Sequence, residues 1–542
     1  MNPTNFTPVQ FTSRSSTPHF GWRVPESTVE FDAGSIKALL LDSSNPCYLV
    51  SVNGQFGISQ QAFTVAEFPD GISVEAYVPA IPVDQLGDAG FLHTHGTRYA
   101  FYAGAMANGI ASAKMVIALG QHGFLGSFGA AGLVPATIEK AIHAIQTALP
   151  NGPYAFNLIH SPSEPALERG AVELYLKHGV HTVEASAFLD LTPSIVYYRV
   201  SGLAETQEGH IQVNNKVIAK ISRGEVASKF MHPAPEKILS QLVQQGMISE
   251  RQAQLAQYIP MADDITVEAD SGGHTDNRPL VSLLPSILSL RDDLQAQLGY
   301  ATPVRVGAGG GIGTPMAALG AFMMGAAYIV TGSVNQACVE AGASEHTRKL
   351  LAQADMADVT MAPAADMFEM GVKLQVLKRG TLFAMRAQKL YELYMAYNSI
   401  EEIPAAEREK IEKQIFRQSL DQVWQTTVSY FSERDPQQIE RAKDNPKRKM
   451  ALIFRWYLGL SSRWSNSGEP GREMDYQIWS GPAMGAFNAW THNSYLADYT
   501  QRHVVDVNWH ILSGSAYLYR IQQLQLQGAT FSPELTRYIP YQ

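Results

Sequence analysis

Between Tyr99 and Thr331 the chain repeats one pattern eight times: a short apolar run, then a stretch with helical spacing of its apolar residues. The strand-like runs are Ala100–Gly104, Phe124–Phe128, Tyr154–Ile159, His181–Ala185, Lys216–Ile221, Ile265–Ala269, Val304–Val306 and Tyr328–Thr331. Helical patterns separate them, at Ser112–Gln121, Pro135–Ala148, Glu164–Lys177, near Pro193–Val200, from Glu225, and at Leu280–Leu290. Another starts with Thr314 as N-cap and Pro315 at the first helical position. An interruption from Pro233 to Met261 holds two more helical patterns. Strands that read as continuous apolar runs, alternating with helices, define an α/β fold with a parallel sheet. Eight repeats at this length predict a (β/α)₈ TIM barrel, with an open doubly wound sheet as the alternative.

The flanks differ from this rhythm. Residues 1–95 predict a small N-terminal domain, with strands at Cys47–Val52 and Ile72–Val78. His93 and His95 would share one face if this stretch were a strand. The barrel is expected over residues 96–340. Residues 341–542 predict a helical C-terminal region that serves as substrate lid or partner dock, with helical patterns at Val372–Tyr397, Ala405–Phe431, Gln437–Tyr457 and Val504–Leu526. Six of the seven tryptophans lie beyond residue 420, which fits a region packed by its aromatics.

Composition excludes several classes. Hydrophobic residues make up 45% of the 542, enough for a large core. The net charge of −9 argues against nonspecific nucleic-acid binding. With only Cys47 and Cys338, neither a disulfide framework nor a cysteine-built zinc site is available, and the usage fits a reducing cytoplasm. The N-terminal stretch to Glu26 has no apolar signal-peptide core. Val306–Val339 carries no charge, but its glycines and Pro315 break it into strand, loop, helix and strand, so no membrane span is expected.

Three places could carry chemistry. Gly307-Ala308-Gly309-Gly310-Gly311-Ile312 follows the seventh run, and Thr331-Gly332-Ser333 ends the eighth. Turns without side chains let backbone N–H groups close around an anion, and in a barrel the turns after strands seven and eight bind phosphate. The Rossmann fingerprint G-x-G-x-x-G fails in both registers, because its third glycine falls on Ile312 or Thr314. Asp270-Ser271-Gly272-Gly273-His274 follows the sixth run and projects a histidine at the mouth, suited to proton transfer near neutral pH. Gly104-Ala105-Met106-Ala107 after the first run would let a flat ring lie against the backbone, and Asn157 supplies an amide near the end of the third. No G-x-S-x-G elbow and no G-x-x-x-x-G-K-[ST] loop is present.

In this order, residues 98–340 resemble the FMN-dependent barrels that include nitronate monooxygenases and the flavin type of enoyl-acyl-carrier-protein reductase. With the Met370–Arg386 segment and the long additions, the whole chain resembles the PfaD family, the trans-acting enoyl reductases of bacterial polyunsaturated-fatty-acid and polyketide synthases. The resemblance implies FMN, NADPH or NADH as hydride donor, an enoyl thioester substrate, acyl-carrier-protein partners, and room for a homodimer. Gly104–Ala107 would back the flavin ring, Asn157 and Lys220 would contact the cofactor, Gly309–Gly311 and Gly332-Ser333 would hold its phosphate, and His274, after Gly272 and Gly273, would face the substrate carbonyl. Asp270 and Ser271 depart from the glutamate and alanine usual in that group. The resemblance also admits a nitronate-oxidising flavin oxygenase or a non-catalytic scaffold. Residues 372–464 carry a balance of +6 within this acidic chain, densest at Lys447-Arg448-Lys449, and that cluster would dock an acidic carrier.

Overall fold

In the computed structural model, which describes residues 9–11, 21–160 and 165–542, the eight apolar runs close into a barrel. Its strands are β1 (Phe101–Ala103), β2 (Leu125–Phe128), β3 (Ala155–Ile159), β4 (Thr182–Ser186), β5 (Lys216–Ile221), β6 (Asp264–Glu268), β7 (Arg305–Gly309) and β8 (Ile329–Thr331). Each pairs in parallel with its sequence neighbours, and β8 closes on β1 through Ile329 opposite Phe101. The open-sheet alternative is thereby excluded. β7 runs three residues past the expected Val306 because Gly309 pairs with both Glu268 and Val330. Helices start where their caps foretold: the Ser112 and Thr314 side chains accept from Met115 and Ala317 N–H, and Pro135, Pro193 and Pro315 occupy first turns. The expected helix at Leu280 extends to Leu298 and stops at Gly299. Residues 161–164, in front of the helix Pro165–Lys177, and the start of the chain scanned for a signal peptide lie outside the described residues.

His93 and His95 do not lie on a strand. Asp88 caps a helix, Ala89–His95, that ends at Gly96 in the left-handed region (φ 65°). The two-residue spacing then puts the histidines on different faces, His93 exposed and His95 buried. His95 Nε2 lies 2.7 Å from the Asp264 carboxylate, and Arg305 grips the same carboxylate with bonds of 2.7 and 2.9 Å. Asp264 and Arg305 open their strands, so this buried cluster sits under the amino-terminal end of the barrel. Lys216 Nζ donates to the Thr94 carbonyl from the same end.

A five-stranded antiparallel sheet built from residues 22–78 lies before the barrel and contains both expected strands. The helix Val504–Leu526 ties it to the barrel. Arg520 donates to the Leu40, Asp42 and Asn45 carbonyls, Gln527 bonds both main-chain groups of Tyr77, and Gly514 backs onto Pro315.

The region after residue 340 is mainly helical but not wholly so. Val359–Pro363 and Lys373–Leu377 are antiparallel strands, so the helix expected from Val372 begins only at Phe383. The run Lys-Leu-Gln-Val-Leu is too short for its periodicity to separate strand from helix, and edge pairing decides. The pattern Ala405–Phe431 breaks at Arg417, which is left-handed (φ 58°), into Ala405–Ile411, a wider turn at Glu412–Phe416, and Leu420–Arg434. The pattern Gln437–Tyr457 breaks before Pro446 into Pro436–Lys443 and Pro446–Ser467. The basic cluster there is taken up internally. Lys447 Nζ donates to the Tyr394 and Tyr397 carbonyls at the end of helix Phe383–Ala396, Arg448 bonds Gln438, and Lys449 lies over Trp424. These contacts pack the helices against one another, with all three side chains half-buried. Among the described residues no helix is long and apolar enough to cross a membrane.

Burial opposes ionisation of Asp264, but His95 and Arg305 outweigh it and hold the carboxyl below its ordinary 3.8. Arg305→Leu leaves that carboxylate buried without its bidentate partner and should cost about 3–5 kcal/mol at pH 7, read from the urea midpoint. Because the native value is depressed, the pair stabilises fully above the unfolded-state value and is lost as pH falls through the native one, so the deficit should shrink in acid. An unchanged midpoint at pH 7 would contradict this role.

Candidate active site at the barrel mouth

Parallel strands bring every segment singled out in the sequence to one end of the barrel. Gly104 follows β1, donates its N–H to the Thr331 carbonyl at 3.0 Å, and packs on Val330, which a Cβ would approach to 3.2 Å. Ala105 N–H donates to Glu184 Oε2 at 2.7 Å, and Met106 and Ala107 complete a half-buried turn. Asn157, on β3, spends its amide nitrogen on the Glu184 carbonyl and Ser186 Oγ. Its main-chain carbonyl accepts from the Tyr175 hydroxyl at 2.7 Å, while its side-chain Oδ1 has no donor among the described residues.

The two glycine turns lie side by side after β7 and β8. Gly309 packs on Val330 and Thr266. Gly310 is left-handed (φ 85°), and a Cβ there would stand 2.6 Å from the Ala269 carbonyl carbon. Gly311 (φ 75°) and Gly332 face open space, with nothing within 4 Å of their would-be Cβ positions. The turns thus leave two bare backbone stretches, one of them leading into the Thr314-capped helix Pro315–Met323.

The turns are partly roofed by a segment that the sequence reading missed. A Cβ on Gly272 would meet the Ser480 backbone at 2.8 Å, one on Gly481 the Ser271 backbone at 2.9 Å, and one on Gly313 the Ala483 carbonyl at 2.3 Å. Gly481 N–H donates to Ser333 Oγ at 3.0 Å. The signal was present as Ser480-Gly481-Pro482, a turn sequence with no neighbouring motif to mark it.

Inside the mouth a lysine joins two carboxylates, and neither glutamate was anticipated. Lys220 on β5 stands 3.1 Å from Glu268 on β6 and 3.8 Å from Glu184 on β4. Burial disfavours the ammonium, but the two carboxylates outweigh it and raise Lys220 above its ordinary value. Glu184 is fully buried, and its Oε1 accepts no hydrogen bond. Oε1 has the Lys220 ammonium 3.8 Å away but no hydrogen-bond donor, which leaves room for one.

His274 is held from the C-terminal region. Gly273 and His274 pair antiparallel with Gln375 and Leu374. Gln375 Nε2 donates to Asp270 Oδ1 and the Ser271 carbonyl at 2.7 and 2.8 Å, fixing the loop. His274 Nε2 lies 3.1 Å from Asp366 Oδ1, with the side chain 41% exposed. Packing around the ring opposes its charge, but the Asp366 hydrogen bond and charge, with Glu268, prevail and raise His274 above its ordinary value. Asp366 and Gln375 lie about a hundred residues downstream, where spacing gives no hint of contact. The arrangement offers a bare backbone cradle, a half-buried cation between carboxylates, and an imidazole whose charged form Asp366 favours.

Comparison with known proteins agrees with this layout. A family model for the N-terminal domain of fatty acid synthase subunit PfaD matches residues 22–80. One for the inserted helical domain of [acyl-carrier-protein] S-malonyltransferase matches residues 397–476. A polyunsaturated fatty acid synthase subunit of Thraustochytrium sp. is 52% identical over 81% of this chain and 30% of its own length. The polyketide biosynthesis protein PksE of Bacillus subtilis is 46% identical over 81% of this chain and 57% of its own. The chain therefore spans less than two thirds of these relatives. The crystal structure of the enoyl reductase domain of MlnA, from the macrolactin cluster of Bacillus amyloliquefaciens, matches at 38% identity and a TM-score of 0.78, over 82% of this chain and all of that one. Fold and mouth define a (β/α)₈ barrel built like that enoyl reductase domain. The chain belongs to the PfaD family.

Two outcomes follow from the geometry. A left-handed non-glycine residue costs about 1–2 kcal/mol, so Gly311→Ala should destabilise by that amount. Gly310→Ala adds a clash with Ala269 and should lose distinctly more, whereas equal melting shifts would contradict the packing. Asp366→Asn should lower the His274 titration, followed by NMR, toward the ordinary 6.5. The raised native value means that this pair stabilises below the unfolded-state value and ceases to do so as pH rises through the native one. An unmoved titration would free His274 from Asp366.

Proposed function

We propose that this chain is an enoyl reductase that uses FMN and NAD(P)H to reduce the 2,3 double bond of enoyl thioesters, acting in trans on carrier-bound chains in polyunsaturated fatty acid or polyketide assembly. The observation that carries the reading is the meeting, at one barrel mouth, of two glycine turns with the His274–Asp366 pair. Full-length similarity to the MlnA enoyl reductase domain supports it.

The residues present fit the cofactor. Within the Gly309–Gly311 and Gly332-Ser333 turns, Gly311 and Gly332 leave open backbone where a phosphate would sit, favoured by the helix starting at Pro315. The Gly104–Ala107 turn would back the isoalloxazine, with Asn157 offering its side-chain Oδ1 and Lys220 its ammonium. When bound, FMN supplies hydride transfer, which no side chain can provide. Reduction at the β-carbon leaves negative charge on the thioester oxygen and calls for a proton at the α-carbon. His274 can stabilise that charge and deliver the proton, with Asp366 keeping it protonated. Gly272 and Gly273 let the loop pass close to the 480–481 backbone and aim the ring at the mouth. The relatives are synthase subunits or parts of them, and residues 397–476 are similar to a domain inserted in a carrier-protein acyltransferase, which supports an acyl carrier protein as partner.

His274→Ala should slow reduction of an enoyl thioester by about 10²–10⁴-fold with flavin content unchanged. Gly332→Glu, whose Cβ meets open space, should place a carboxylate at the phosphate turn and yield folded protein without flavin. Wild-type turnover in the first variant would remove His274 from the mechanism, and full occupancy in the second would move the cofactor elsewhere.

A further inference from the structure

Away from the mouth, on the outer wall of the barrel, three metal-binding side chains converge from two helices. Glu139 and His143 are four residues apart on the helix Pro135–Ala148 and so share a face. His178 directly follows the neighbouring helix Pro165–Lys177. Glu139 Oε1 lies 2.7 Å from His178 Nε2, and the two imidazoles meet edge to face with ring centres 4.9 Å apart. One donor atom from each of the three lies within 4.8 Å of the others.

We propose that Glu139, His143 and His178 bind a single divalent transition-metal ion, of which zinc is the natural probe. Two imidazoles and one carboxylate form a donor set that suits zinc, copper or nickel and disfavours magnesium and calcium. Tetrahedral bonds of about 2.0–2.2 Å place donor atoms roughly 3.3–3.5 Å apart. Glu139 Oε1 and His178 Nε2 are 2.7 Å apart and every donor pair lies within 4.8 Å, so the three side chains need only small adjustments to reach that spacing. His143 is exposed and the other two are half-buried, which leaves an entry path and a fourth position for water. One group opposes the ion. The Lys177 ammonium lies 2.9 Å from the same Glu139 oxygen and must swing away, which its 66% exposure allows. Bound metal would pin the helices after β2 and β3 to each other. The inference uses no residue of the mouth and stands independently of the proposed activity.

Zinc titration of the full chain, by calorimetry and by competition with a chromogenic chelator, tests it. Wild type should take up a single ion per chain. His143→Ala and His178→Ala should each weaken binding by at least about tenfold, as losing a ligand costs no less than losing an outer-shell partner. Lys177→Ala should tighten it, a direction that nonspecific surface histidines would not produce. Binding should fade in acid as protons compete for both imidazoles. Circular dichroism of each variant confirms folding. Zinc uptake by the His143→Ala/His178→Ala double variant equal to wild type, or no uptake by wild type, would overturn the site.

Discussion

The structure depends on backbone packing against backbone at the barrel mouth, where residues 480–483 lie on 271–272 and 313. Glycine stands at Gly272, Gly313 and Gly481 because any Cβ there would come within 3 Å of main-chain atoms. Such contact leaves no freedom to slide, and it locks the C-terminal region to the two turns where a ligand would lie. A second tie, the pairing of Gly273–His274 with strand 373–377, gives the histidine loop its shape. The mouth is therefore built by two parts of the chain, and neither the barrel nor the later helices would hold it alone.

The two ends of the barrel use charge in opposite ways. At the amino-terminal end the buried Asp264 carboxylate is gripped by His95 and Arg305, with only His95 Nδ1 left without a partner among the described residues. At the carboxyl end, Lys220 bridges two carboxylates, Glu184 Oε1 has no hydrogen-bond donor, and His274 is half-exposed with its charged form favoured by Asp366. Unmatched groups of this kind are costly to stability and are usually kept for function. The glycine turns, Lys220 and His274 all sit at this second end.

Much of the fold was legible because buried parallel strands read as plain apolar runs, and because Ser112, Thr314 and the first-turn prolines announce their helices. The helix Val504–Leu526 was legible end to end. Lys373–Leu377 was not, since five residues do not distinguish the two periods and one of its two partners, Gly273–His274, lies a hundred residues away. His93 and His95 misled because period two was assumed where Asp88 and Gly96 set a helix. In the site, glycine turns and His274 stood out by composition. Glu184, Glu268, Asp366 and Gln375 did not, since ordinary acidic and amide residues gain meaning only when folding brings them together. The Lys447 cluster shows the converse: charge conspicuous in sequence is absorbed by the end of a neighbouring helix.

The central claim is that this mouth reduces a conjugated carbon–carbon double bond. The most direct measurement is an anaerobic single turnover, with the purified protein's flavin reduced by NADPH and then mixed with a crotonyl thioester carried on pantetheine or on a carrier protein. The account predicts rapid return of the oxidised flavin spectrum and formation of the saturated butyryl thioester. Flavin that is reoxidised by oxygen or a nitronate but not by the thioester, or protein that carries no flavin, would contradict it.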